Sequence, residues 1–129
     1  MSSHKIVKVR YDKHHDTFTY KSDDPSVIGD PQNPAIVFQA GGKMDFRCDN
    51  SDGVKMRFYK ADPANWDPDP PEDEGYHELK DDETRLVFHN NHCHMGHTKL
   101  TLKLECKFDG NGNWQRKDSD PIVVNIPPA

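Results

Sequence analysis

Four histidines and one cysteine fall within nine consecutive residues, His89-Asn90-Asn91-His92-Cys93-His94-Met95-Gly96-His97. Neutral imidazole and thiolate are the usual ligands of zinc and copper, so this composition allows a metal centre. On an extended chain His92 and His94 project to one side and Cys93 to the other. A His-x-His pair with His89 or His97 would then hold a metal with one open position. Finer spacing argues for something plainer. Cys93, His94 and Met95 are contiguous, too close for all three to reach one ion as the corresponding residue types do in a blue-copper loop. The spaced Cys-x-x-Cys pairs of structural zinc sites do not occur. The expectation is a polar connecting loop whose histidines are solvated or bonded to local backbone. Copper or zinc bound by His89, His92, Cys93, His94 and His97 is the alternative, with affinity that weakens as pH falls through the histidine range; otherwise no cofactor is expected.

Catalysis finds little support. Neighbouring imidazolium can stabilise a Cys93 thiolate, but an adjacent histidine on an extended chain points away from the thiol, so activation would need a partner elsewhere. There is no G-x-S-x-G, no phosphate-cradling glycine loop and no dinucleotide fingerprint. Asp109, Asn111 and Asn113 lack the glycine and glutamate positions of a calcium loop, and Gly110 and Gly112 fit a turn. Trp66, Tyr76 and Trp114 are binding-loop candidates that offer stacking faces for a protein or carbohydrate partner, although an aromatic in a loop more often packs than binds.

The elements that would carry these residues read as strands. Thr98, Leu100, Leu102, Leu104, Cys106 and Phe108 alternate with Lys99, Thr101, Lys103, Glu105 and Lys107, the period-two pattern of a sheet with one buried face. Such half-wetted sheets are commonly antiparallel. Further strands are expected at Lys5 to Tyr11, Thr17 to Lys21, Ala35 to Gln39, Met44 to Cys48, Val54 to Lys60, Thr84 to His89 and Ile122 to Ile126, separated by Gly, Asp-Pro and Asn turn signals. Six prolines follow aspartate, at 25, 31, 63, 68, 70 and 121, which marks strand ends and argues against helices. Ala61 to about Asp82 reads as one long Pro-rich acidic loop whose backbone favours polyproline geometry. Parity places Cys48 and Cys106 toward the core as a buried thiol pair. The 129 residues thus form a single all-β domain, an antiparallel β-sandwich of about seven to eight strands.

Charge is uneven. Ala61 to Glu83 hold ten acidic residues against one lysine, leaving sixteen basic and twelve acidic residues elsewhere. The body is mildly basic, yet in the sequence its lysines and arginines gather at no one place with aromatic or groove-reading elements, so nucleic acid is discounted as a partner. No apolar stretch is long enough for a signal peptide or a membrane span, and a cytoplasmic, soluble protein is expected. Lys5, Lys8, Pro121 and Pro127 blunt the terminal strands against uncontrolled pairing, while a homo-oligomer stays allowed.

The closing segment Asp120-Pro121-Ile122-Val123-Val124-Asn125-Ile126-Pro127-Pro128, after the long alternating strand and the turn Asp109 to Asn113, resembles the small bacterial proteins of the DP-EP family. Asp120-Pro121 fits that family's Asp-Pro dipeptide; Ile126 stands where its later Glu-Pro would put a glutamate. The resemblance spans most of the chain in length and strand order. It implies an immunoglobulin-like sandwich with no assigned activity. Cys48 and Cys106 with Trp66 between them also look like an immunoglobulin framework, although Leu104 occupies the place of its tyrosine. The functional expectation is a non-catalytic binding or assembly module.

Overall fold

The structure, a computed structural model, describes residues 3–12, 14–50, 54–67, 75–92, 95–108 and 113–127. Among them twelve strands follow one another without a helix: β1 (Ser3–Asp12), β2 (Thr17–Lys21), β3 (Val27–Asp30), β4 (Asn33–Phe38), β5 (Gly42–Cys48), β6 (Val54–Phe58), β7 (Ala64–Asp67), β8 (Gly75–Lys80), β9 (Arg85–Asn90), β10 (Gly96–Phe108), β11 (Gln115–Ser119) and β12 (Ile122–Asn125). The first sheet runs β2-β1-β5-β9-β8. The second is built on β10, whose thirteen residues carry partners along both edges: β7 and β6 on one, β12 and β11 on the other, with β4 and β3 continuing beyond β12.

The alternation in β10 does what its period requires. Leu100, Leu102, Leu104 and Cys106 are buried completely and face Val7, Met44, Phe46, Leu86 and Phe88 of the first sheet in one core. Phe46 and Phe88 meet edge to face, ring centres 6.0 Å apart, the arrangement their quadrupoles favour. The sandwich is tied at its sides by backbone bonds between sheets, from Tyr20 N–H to the Pro31 carbonyl (2.8 Å) and from Phe58 N–H to the Glu83 carbonyl (2.7 Å).

Each of the eight expected strands is present, and three expectations need correction. Pairing is not wholly antiparallel: β1 lies parallel to β5, and β12 parallel to β4. After β2 the chain crosses to the second sheet for β3 and β4, and it returns beside β1 running in β1's own direction. Twelve strands among the described residues replace seven or eight: β3, β7, β8 and β11 are additional, β7 and β11 being set off from β6 and β12 by Pro63 and Pro121. Both prolines lack a donor but still accept, from Lys103 N–H (2.9 Å) and Leu100 N–H (2.8 Å). The expected loop over 61–82 contains β7 and β8; residues 68–74 lie outside the described part.

Cys106 is buried and Cys48 partly so, both as free thiols. Burial, then the nearness of Cys106, pushes the Cys48 thiol up to about 12, and burial pushes Cys106 up to about 11. Neither is a nucleophile at neutral pH.

Candidate functional site

Alternation in β1 sends Val7, Val9 and Tyr11 into the core and leaves Lys8 and Arg10 exposed on the outer face of the first sheet. Register then sets what stands beside each. Lys8 is opposite Lys21 on β2 and Arg47 on β5; Arg47 is opposite Arg85 on β9; Arg85 is opposite Lys80 on β8. One cation from every strand therefore falls in a single row across the sheet, in the order Lys21, Lys8, Arg47, Arg85, Lys80. With neighbouring strands about 4.8 Å apart, the row is about 19 Å long. Like charges directly opposite one another cost stability in a sheet, so the row needs compensation.

That compensation is Asp45, in the next row between Ile6 and Val87. Its side chain is fully buried. Arg85 donates to it from Nε (2.9 Å) and Nη2 (2.7 Å), Arg47 from Nη2 (3.0 Å), and His4 Nε2 lies 3.1 Å away. Burial alone would push the carboxyl up, but these hydrogen bonds, Arg85's foremost, outweigh it and hold Asp45 well below the usual carboxylate range. Arg85 is raised in turn by its bond to Asp45. One carboxylate thus anchors two arginines and neutralises one of them.

The turn that delivers Arg85 is strained. Asp81, Asp82 and Glu83 all have positive φ (54°, 53° and 64°), a run that L-residues adopt at a cost. Thr84 steadies it by donating from Oγ1 to the Asp81 carbonyl at 2.6 Å.

The remaining cations of the face reach solvent. Lys8, Arg10, Lys21, Lys43 and Lys80 are exposed. Among the described residues no ion pair engages Lys8, Lys21 or Lys43, while Lys80 is 3.9 Å from Glu78, which also accepts from His89 at 3.0 Å. Between β1, β2 and the turn after β2, a groove of about 640 Å³ is lined by Ile6, Lys8, Lys21, Arg47, Asp23 and Asp24. The face can hold an extended anion by many weak contacts; among the described residues no nucleophile within it is paired with a base.

The histidine loop divides. His89 is on β9 with Glu78. His92 sits at φ 59°, its backbone N–H bonded to Asn90 Oδ1 (2.9 Å) and its Nε2 directed at the carbonyls of Ile126 (2.8 Å) and Phe38 (3.1 Å). A nitrogen between two carbonyls is a donor, so His92 fastens the loop to the ends of β4 and β12. The Asn90 amide, bonded to Asn125 at 2.8 Å, ties the same elements. His97 is the second residue of β10 and is exposed; Cys93 and His94 lie outside the described residues. Among the described residues no three His, Cys, Asp or Glu side chains converge as metal ligands would.

Trp66 falls in β7 opposite Leu100 and Tyr76 in β8 opposite His89, so both belong to strands instead of a loop. Trp114 packs under the Arg57 guanidinium, 3.9 Å above its ring, with Lys107 Nζ at 5.9 Å. The cation row went unseen in the sequence. Its members belong to five separate strands, and the premise that basic residues gather nowhere fails once the strands are in register.

Comparison with solved structures gives a similar fold over nearly the whole chain: an inclusion body protein, PixA, of Burkholderia cenocepacia, with a TM-score of 0.65 at 9% identity, covering 98% of this chain and 97% of that one. A cysteine protease inhibitor of Entamoeba histolytica, EhICP2, aligns over 71% of this chain and 83% of its own at 15% identity, with a TM-score of only 0.33. No protein-family model and no curated protein sequence matches the chain. What the comparison with the Burkholderia protein shows is the architecture: two facing mixed sheets of a β-sandwich-like, all-β fold.

Proposed function

We propose that the chain is a non-catalytic binding or assembly module whose recognition surface is the outer face of the first sheet, and that the class of partner is an acidic polypeptide. The observation that carries this reading is the row Lys21, Lys8, Arg47, Arg85 and Lys80, one cation per strand. A fold selected for stability alone would not align five like charges across a sheet, and conflicts between local stability and global arrangement are where function is sought. The similar protein over the whole chain is named for inclusion bodies and not for a reaction, which accords with a module that binds. An immunoglobulin-like lineage, with the DP-EP resemblance that suggested it, is supported by the two facing sheets and by Asp120-Pro121 at the break before the final strand. A cytoplasmic setting suits the free thiols of Cys48 and Cys106. No helix among the described residues is long and apolar enough to cross a membrane.

Poly-L-glutamate is the direct probe. Fluorescence anisotropy of a labelled polymer should rise with added protein at low salt and fall back at high salt, since exposed charges are screened beyond about 8–10 Å at physiological ionic strength. K8E/K21E should lose this binding while K55E/K107E, on the other sheet, keeps it. Equal binding by both variants removes the proposed surface.

A further inference from the structure

A second groove shares only Pro25 with the one beside Lys8 and Lys21. We infer that it is a binding site for a small amphiphilic monocarboxylate, an aliphatic acid whose charged end meets Lys5. The groove has a volume of about 580 Å³, and Lys5, Ser26, Ile28, Val37, Ala40 and Ile126 line it. Small-molecule sites have this size and this make-up, mostly apolar with a few placed polar groups. Its walls are set by strand pairing. The Ser26 carbonyl accepts from Val37 N–H at 3.0 Å, Ile28 stands opposite Ala35, Val37 stands opposite Val124, and Ile126 N–H donates to the Phe38 carbonyl at 2.9 Å. Ile28 is 52% exposed, so apolar surface is there for a ligand to cover.

Lys5 carries the argument. The inward positions of β1 hold Lys5, Val7, Val9 and Tyr11, so a lysine takes a core position at the end of the sandwich, its side chain only 7% exposed. An ammonium has three N–H donors. One of them bonds Ser26 Oγ at 2.6 Å, the one hydrogen bond that Nζ makes among the described residues. Asp24 Oδ1 is 3.9 Å from Nζ, close enough for an ion pair but too far for a hydrogen bond, and it already accepts from Ser26 N–H (2.9 Å) and Ser26 Oγ (2.5 Å). The Phe38 ring, its centre 4.9 Å away, attracts the charge as a whole. Two buried N–H groups are left over, where buried donors are ordinarily satisfied. A carboxylate brings two acceptor oxygens to them. Asp24 sets the charge of the ligand: with one carboxylate already beside the ammonium, a monoanion is accommodated better than a dianion.

Isothermal titration calorimetry of the full chain with hexanoate, octanoate and decanoate, each below its micelle concentration, tests this. One acid should bind per chain, about fourfold more tightly for each added methylene until the groove is filled. Octanol, which lacks the charge, should bind about tenfold more weakly than octanoate or worse. K5M keeps an apolar stem and removes the ammonium; it should weaken octanoate by about tenfold or more and leave octanol unchanged. I28E, at the exposed rim, should weaken both. K8E/K21E should bind octanoate as the wild type does. Circular dichroism of each variant checks that the sandwich is intact.

The inference is overturned if no acid binds saturably, or if K5M binds octanoate as the wild type does, which would leave an apolar patch and no carboxylate site. Should K5M fail to fold, nitrogen-15 NMR of the wild type decides: octanoate shifts concentrated at Ser26, Ile28, Val37 and Ile126 support the site, and shifts concentrated elsewhere overturn it. Octyl phosphate binding more tightly than octanoate overturns the assignment to a monoanion. The end of a peptide offers the same chemistry as a free acid. If N-acetyl-dileucine displaces octanoate and its amide does not, the site extends to chain ends; if neither displaces it, the site is confined to free acids. Binding of poly-L-glutamate bears on the other face alone, so either reading can fail without the other.

Discussion

The outer faces of the two sheets carry similar numbers of lysines and arginines and treat them differently. On the second sheet most cations have local partners among the described residues: Arg57 bonds Glu105 at 3.1 Å and covers Trp114, Arg116 lies 3.6 Å from Asp118 and 5.0 Å over Tyr59, Lys103 bonds Asp62, and Lys107 is over Trp114, although Lys55 stands opposite Lys107. On the first sheet Arg47 and Arg85 share Asp45, Arg85 also lies 3.9 Å from Asp81 and Lys80 3.9 Å from Glu78, and Lys8, Lys21 and Lys43 make no ion pair among the described residues. The second face compensates most of its cations with its own strands and turns. The first leaves Lys8, Lys21 and Lys43 facing solvent, with buried Asp45 as the main compensation at the centre of the row.

The largest effect that would separate the faces is at Asp45. D45A strips the carboxylate from beneath two arginines, and breaking a buried pair in this way typically costs about 3–5 kcal/mol; urea denaturation measures it. A loss below about 1 kcal/mol would mean that the row needs no anchor. The pH dependence follows with a definite sign. Asp45 ionises below its unfolded-state value of 3.8, so its contribution is complete above that value and is lost as pH falls from there toward the folded one. Acid titration of stability should accordingly be flatter below pH 4 in D45N than in the wild type.

On the second sheet a smaller effect is expected. Trp114→Ala removes the surface beneath Arg57 and Lys107 and should cost about 0.5–1 kcal/mol by the same denaturation, with poly-L-glutamate binding unchanged. Weakened binding would show that the comparison has assigned recognition to the wrong face. The smallest effect has the opposite sign: Lys8→Gln relieves a cation flanked by Lys21 and Arg47 and should stabilise by about 0.2–0.5 kcal/mol while binding weakens. A destabilised K8Q would mean that the row is held together by something other than tolerance of repulsion.

Much of the fold is legible in the sequence where burial enforces a period. Leu100 to Cys106 and Val7 to Tyr11 announce their strands because water and core demand opposite side chains at alternate positions. The four strands that escape are short and lie at sheet edges or beside proline. β11, Gln115-Arg116-Lys117-Asp118-Ser119, has no apolar residue, and it forms because β10 offers a ladder from Leu102 to Cys106. β7 and β8 are concealed by the proline signals around them. Of the site, only the histidine cluster stood out in composition, and composition does not reveal that the His92 ring closes on the carbonyls of Phe38 and Ile126. The cation row could not be read at all: Lys8 and Arg85 become near neighbours only through two strand pairings, one parallel and one antiparallel.

The most direct measurement is a nitrogen-15 NMR titration of the full chain with poly-L-glutamate. Amide shifts concentrated at Lys21, Lys8, Arg47, Arg85 and Lys80, saturable and reversed by salt, are the predicted result. Shifts concentrated at Lys55, Arg57 and Lys107, or in the loop from His89 to His97, would contradict the claim that the open cationic face is where this protein recognises its partner.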